Sequence, residues 1–203
     1  MASSLFISLE HNLRNLQDAL ITDVPALTAA KEDFTRALGF RVLASAHLEY
    51  FVEQRCSQVA QQGVDRFRLG RPTRTGRALL IWYGTRKKQR WSIPLSVDEC
   101  VADGAKLDEA LKAYLDSVRN THGMSGSDFQ DLVIPLGLLD SDIDYMLVQR
   151  LTDLALKRQR AAHVALVGVK GRVAPMGEWT EVENIVADLK QVDTALETAV
   201  LSL

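Results

Sequence analysis

The chain has 203 residues, 47% of them hydrophobic and 25% charged, with a formal net charge of -2. That length and composition predict a single soluble domain over 1–203 with a sizeable core, and the near-neutral charge gives no global attraction to a polyanion. Cys56 and Cys100 form no CxxC pair and have no histidine at ligand spacing. Their simplest reading is reduced thiols in the cytoplasm.

No basic leader and no apolar run of membrane-spanning length is present in the sequence, so no membrane partner is expected. From the N-terminus, Leu5, Leu9, Leu13, Leu16 and Leu20 keep a helical period and predict a helix over 5–21. Asp23 and Pro25 then mark a stop and a new start, because aspartate caps and proline is tolerated in a first turn. The next helix is predicted over 25–61, with a stripe of Leu27, Phe34, Leu38, Val42, Ala46, Val52, Cys56 and Val59. Gly39 within it suggests close approach to a neighbour. Glu49 sits among apolar residues. It is either on the solvated side or a buried carboxylate paired with a cation from later in the chain.

Residues 66–90 hold nine basic residues and no acidic one, against 15 basic and 26 acidic in the rest of the chain. Trp82, Tyr83 and Trp91 are interleaved with them, and Gly70, Pro72, Gly76 and Gly84 interrupt a long helix. The region 66–95 therefore reads as a basic, aromatic-containing insertion or loop, with 78–83 a short strand or helical turn. Cations that neutralise phosphates and rings that stack on bases suit RNA, with Arg86, Lys87, Lys88 and Arg90 as contacts. The alternative is a solvated segment answering the acidic surface of the same fold.

Ser96 to Glu99 has capping-box spacing, and a helix over 105–118 turns Leu107, Ala110, Leu111, Tyr114, Leu115 and Val118 inward. Gly123 is available to end it. Ser127 caps a short helix through Val133, and Ser141 with Asp142 and Asp144 opens the next, over 141–163. Residues 164–176 read as a connection and 179–201 as a final amphipathic helix. Five or six helices with short turns make an all-α bundle.

No phosphate-binding glycine loop, no His-Glu-x-x-His and no diagnostic carboxylate pair occurs, so nothing calls for a metal or cofactor. What remains is Arg158-Gln159-Arg160-Ala-Ala-His163 at the end of a periodic helix. Histidine moves protons near neutral pH, and arginine offers a planar donor fork to phosphate and to the charge that builds on it. On an ideal helix Arg158 and His163 lie about 140° apart, whereas Arg160 and His163 share a face. The pair therefore suits a helix end or a two-chain cleft better than one face of one helix. The bland reading is a set of cations complementing a helix C-terminus.

Four stretches in order resemble the HEPN superfamily, nearest to the HEPN domains found beside L-PSP-type endoribonucleases and to toxin-like HEPN nucleases. They are Ala44-Ser-Ala-His-Leu-Glu-Tyr-Phe51, Asn120-Thr-His-Gly-Met-Ser125, Leu136-Gly-Leu-Leu-Asp140, and the run Leu151 to His163 ending in Arg-x4-His. Gln159 and Val164 stand where that family more often has Asn and Gly. The resemblance implies a HEPN-like bundle and a metal-independent endoribonuclease, active as a homodimer in which Arg158 and His163 of both chains line one cleft. It implies a toxin or antiphage-defence role, with an antitoxin or associated defence protein as partner. Gln159, Arg160 and Glu49 are supporting RNA contacts on this reading. The alternative it leaves is a non-catalytic RNA-, nucleotide- or protein-binding module.

Overall fold

The computed structural model of the chain describes residues 2–25, 27–86, 104–121, 123–164 and 174–202, with 162–164 described as backbone alone. Over these residues the fold is all-α. Its helices are α1 (Ser4–Leu20), α2 (Lys31–Arg68), α3 (Arg74–Arg86), α4 (Gly104–Arg119), α5 (Gly126–Val133), α6 (Tyr145–Val164) and α7 (Pro175–Leu201), with 3-10 turns at Ile134–Leu136 and Asp140–Asp142.

Helix starts follow from side chains that satisfy free backbone N–H groups. Ser3 accepts from the Phe6 N–H at 3.1 Å and fixes the start of α1. For α2 the expected start at Pro25 is wrong. The Thr28 and Ala29 N–H groups only turn back onto the Pro25 carbonyl. The Asp33 carboxylate instead reaches back to the Ala30 N–H at 2.8 Å and takes the Thr22 hydroxyl at 3.0 Å, so the helix begins at Lys31. Asp144 accepts from the Met146 N–H at 2.7 Å and starts α6. The final helix opens at Pro175, four residues before the expected start, because proline's missing N–H is no loss in a first turn.

The end of α2 also lies beyond the expected residue 61. Gly70 takes φ 71°, the Arg71 N–H bonds the Arg66 carbonyl and the Gly70 N–H bonds the Phe67 carbonyl. This Schellman arrangement needs a left-handed residue, which glycine adopts without strain.

The buried face of α2 is not the predicted one in its first half. Ala37, Phe40, Arg41, Ala44, Ser45 and Leu48 face inward, while Val42 and Leu43 are exposed. A charged residue on the inner face displaced the apparent phase of the stripe. No neighbouring atom lies within 4 Å of a Cβ built on Gly39, so the expected close approach there does not occur.

The chain divides into two compact units. Unit 1 is Met1–Phe51, Gly123–Ser127 and Asp144–Lys190, and unit 2 is Val52–His122, Asp128–Ile143 and Gln191–Leu203. In unit 1, Phe6 of α1 meets Phe51 of α2 edge-on at 5.6 Å, and Phe40 of α2 meets Trp179 of α7 at 6.1 Å. Helix α6 buries Leu147, Leu151 and Leu154, at alternating four- and three-residue spacing. Full burial of each such side chain contributes about 1.5–3 kcal/mol.

In unit 2 the stretch 66–86 of the expected basic insertion is the end of α2, a non-helical link over 69–73, and α3. The run 78–83, read above as strand or helical turn, lies in α3, which buries Leu79, Leu80 and Tyr83 and packs on α4 and the turn at Ile134–Leu136. Cations of this stretch pair within the unit: Arg68 with Asp65 and Asp108, and Arg74 with Asp142. The segment thus answers the acidic side of its own unit. Burial pushes the Cys56 thiol up to about 12. The capping pattern at Ser96 and the residues Lys87, Lys88 and Arg90 lie outside the described residues.

Candidate functional site

The motif helix α6 carries Arg158 in its last two turns, on a side that faces α2. Arg158 donates from Nη1 to Oε2 of Glu49 at 2.7 Å. The other oxygen of Glu49 accepts the Gly123 N–H, also at 2.7 Å. Gly123 reaches this position with φ 111°, a backbone conformation that excludes most side chains. The carboxylate is therefore held at both oxygens and sets the direction of the guanidinium. The Arg158 side chain is 37% exposed and that of Glu49 18%. The pair is open on one side, and the remaining N–H groups of Arg158 have no partner among the described residues, so they suit a phosphate or carboxylate.

Two turns back along α2, a second arginine acts on the backbone. Arg41 donates from Nε to Glu178 Oε2 at 2.7 Å and pairs through Nη2 with Oε1, a two-point contact buried to 6% and 2% exposure. Its Nη1 reaches the Lys157 carbonyl at 3.4 Å, next to Arg158 in sequence. Lys157 itself pairs with Glu181 of α7. Arg41 and Glu49 are eight residues apart on α2, so one face of that helix grips α6 at two consecutive residues. The start of α5 closes in on the same helix: the Gly126 N–H donates to Thr152 Oγ1 at 3.1 Å.

Of the residues expected in the site, Arg158 and Glu49 are brought together, and Glu49 takes the paired role rather than the solvated one. Gln159 and Arg160 are exposed beside them. His163 belongs to the last turn of α6, and its side chain lies outside the described residues. Arg86 belongs to unit 2, where it stacks on Trp82. Three contributors went unread in the sequence: the Gly123 N–H, Arg41 and Glu178. A signal for Arg41 was present, since a lone arginine between Phe40 and Val42 interrupts an otherwise apolar stretch.

Among the described residues no three His, Cys, Asp or Glu side chains gather where they could hold a metal ion. No helix of the described residues is long and apolar enough to cross a membrane. Compared with known protein families, curated proteins and solved structures, the chain matches none.

Proposed function

We propose that the chain is a HEPN-like, metal-independent endoribonuclease of the toxin or antiphage-defence type, acting as a homodimer in the cytoplasm. The observation that carries this reading is the half-open Arg158, aimed by a carboxylate that is itself fixed at both oxygens. An arginine held this way loses little freedom on meeting a phosphate, so its attraction is spent on the charge that develops in the transition state.

Cleavage needs three events. A base takes the proton of a ribose 2′-hydroxyl, the oxygen attacks the adjacent phosphorus, and an acid protonates the departing 5′-oxygen. His163 serves the proton transfers, and Arg158 stabilises the charge on the phosphoryl oxygens. Glu49 is a positioning residue that orients Arg158, while Gln159 and Arg160 contact the RNA backbone. In the homodimer of this reading a second copy docks at the end of α6, where the half-open Arg158 lies. An antitoxin or associated defence protein would cover the same surface.

The test is incubation of purified protein with single-stranded RNA in EDTA. The wild type cleaves, while His163→Ala and Arg158→Ala do not and remain folded dimers. Intact RNA after long incubation with the wild type overturns the reading. The Glu49 carboxylate also favours a second one, because it offsets the charge of Arg158 and suits a non-catalytic module for RNA, a nucleotide or a protein. That module would bind RNA with a salt-dependent affinity weakened by Arg158→Ala, with no cleavage by either form.

A further inference from the structure

Unit 2 contains a cleft of about 780 Å³ between the C-terminal turns of α3 and α4 and the helix α5. Its aromatic wall is Trp82, braced edge-on against the buried Tyr114 ring at 5.7 Å. The guanidinium of Arg86 lies over the Trp82 ring, 5.2 Å from its centroid. Across the cleft stand Asp116, Asn120 and Asp131.

Three observations fix the kind of ligand. Among the described residues that line it, two carboxylates oppose one guanidinium, so that lining carries excess negative charge. Helix α4 ends there, which adds the negative end of a dipole. The indole face attracts cations, and a planar guanidinium of this chain already rests on it. Phosphate is disfavoured by the first two, so the described lining suits a cation. Asp131 is exposed and makes no ion pair among the described residues, and Asp116 has only the exposed Arg119 at 3.5 Å. Their carboxylates remain available as acceptors for a forked donor.

We infer that this cleft is a binding site for a guanidinium group, seated on the Trp82 face between Asp116 and Asp131, with Arg86 as the internal occupant that the ligand displaces. The site rests on unit 2 alone and is independent of any RNA cleavage. The guanidinium can come from a free small molecule or from an arginine side chain of a peptide.

The test is a titration of the full chain followed by the Trp82 indole N–H signal in an NMR spectrum, assigned with Trp82→Phe. The probes are methylguanidinium, capped Gly-Arg-Gly, citrulline as the neutral isostere, and guanosine monophosphate. Saturable shifts are expected with the two guanidinium probes and none with citrulline or the nucleotide. Equal affinity for both guanidinium probes identifies a small-molecule site, and tighter binding of the peptide identifies a peptide site. Asp131→Asn, a substitution at an exposed position, should weaken binding about tenfold, the loss of one charge-assisted contact. Arg86→Ala should tighten it several-fold by removing the occupant. No shift with either guanidinium probe at millimolar concentration, binding of the nucleotide in their place, or affinity unchanged or reduced by Arg86→Ala overturns the inference.

Discussion

Helix α2 carries two halves of arginine–carboxylate pairs, Arg41 and Glu49, and the regions around them are built differently. Arg41 and Glu178 are almost wholly buried and make a two-point contact, while Glu49 and Arg158 are partly open to solvent. In the first region the charges are consumed by each other and by a backbone carbonyl. In the second, one carboxylate is fixed by a backbone N–H, and among the described residues Glu49 is the one partner of the Arg158 guanidinium. The same residue types thus serve a structural purpose where water is excluded and remain available for ligand where it is not. Burial of a charge makes its partner indispensable, because a lone charge cannot be left in an apolar interior.

The largest expected effect breaks the buried pair. Arg41→Met strands the Glu178 carboxylate and should cost about 3–5 kcal/mol in urea unfolding. Adding Glu178→Leu should recover most of that loss, since two well-packed apolar residues replace the pair. A small loss in the single variant would show that the pair is not the anchor described. The open pair should behave the opposite way. Arg158→Gln should change stability by less than about 1 kcal/mol. It should lower the rate of RNA cleavage by about 10²–10³ in single-turnover assays, the effect of removing one preorganised charge stabiliser.

A third, intermediate effect concerns the frame that holds α6. A Cβ on Gly126 would stand 2.3 Å from the Val148 carbonyl oxygen and 2.6 Å from its Cγ1. Backbone cannot yield as a flexible side chain does, so Gly126→Ala should destabilise by about 1–3 kcal/mol, measured by thermal or urea unfolding. Retained stability would mean that α5 and α6 can move apart at no cost.

Much of the fold was legible in the residues. Leu9 and Leu13 of α1, and Leu107, Ala110, Leu111, Tyr114 and Val118 of α4, are buried where periodicity predicted them, while Leu5, Leu16, Leu20 and Leu115 are only half-buried and Phe6 is buried unpredicted. Boundaries failed where a side chain from inside the helix made the cap, as Asp33 does for α2, or where a glycine nine residues beyond the expected end, Gly70, ended it. The helix α3 was missed because arginines at 74, 77 and 86 interrupt its apolar stretch, and the carboxylate that answers Arg74, Asp142, lies far off in sequence. The site was half legible for the same reason. Arg158 stood out by its place at a helix end. Its partner Glu49 is 109 residues away, and Gly123 contributes a backbone group that no side-chain pattern records.

The smallest effect is a pH dependence in unit 2. The Leu139 N–H, and after it Arg74, hold the Asp142 carboxyl below its ordinary value. A lowered folded pKa gives stability that is fully present above the unfolded value of about 3.9 and is lost as pH falls through the folded one. Asp142→Asn should therefore flatten part of the acid limb below about pH 4 in stability measurements and leave the neutral region's slope unchanged. An unaltered acid limb would remove Asp142 from the account of how the basic stretch is held.

The chemistry of the RNA ends tests the central claim most directly. Fragments produced by the purified chain in EDTA should end in 2′,3′-cyclic phosphate, the product of 2′-hydroxyl attack assisted by a histidine and an arginine. Ends bearing a 3′-hydroxyl, or cleavage that appears only when a divalent metal is added, would contradict it.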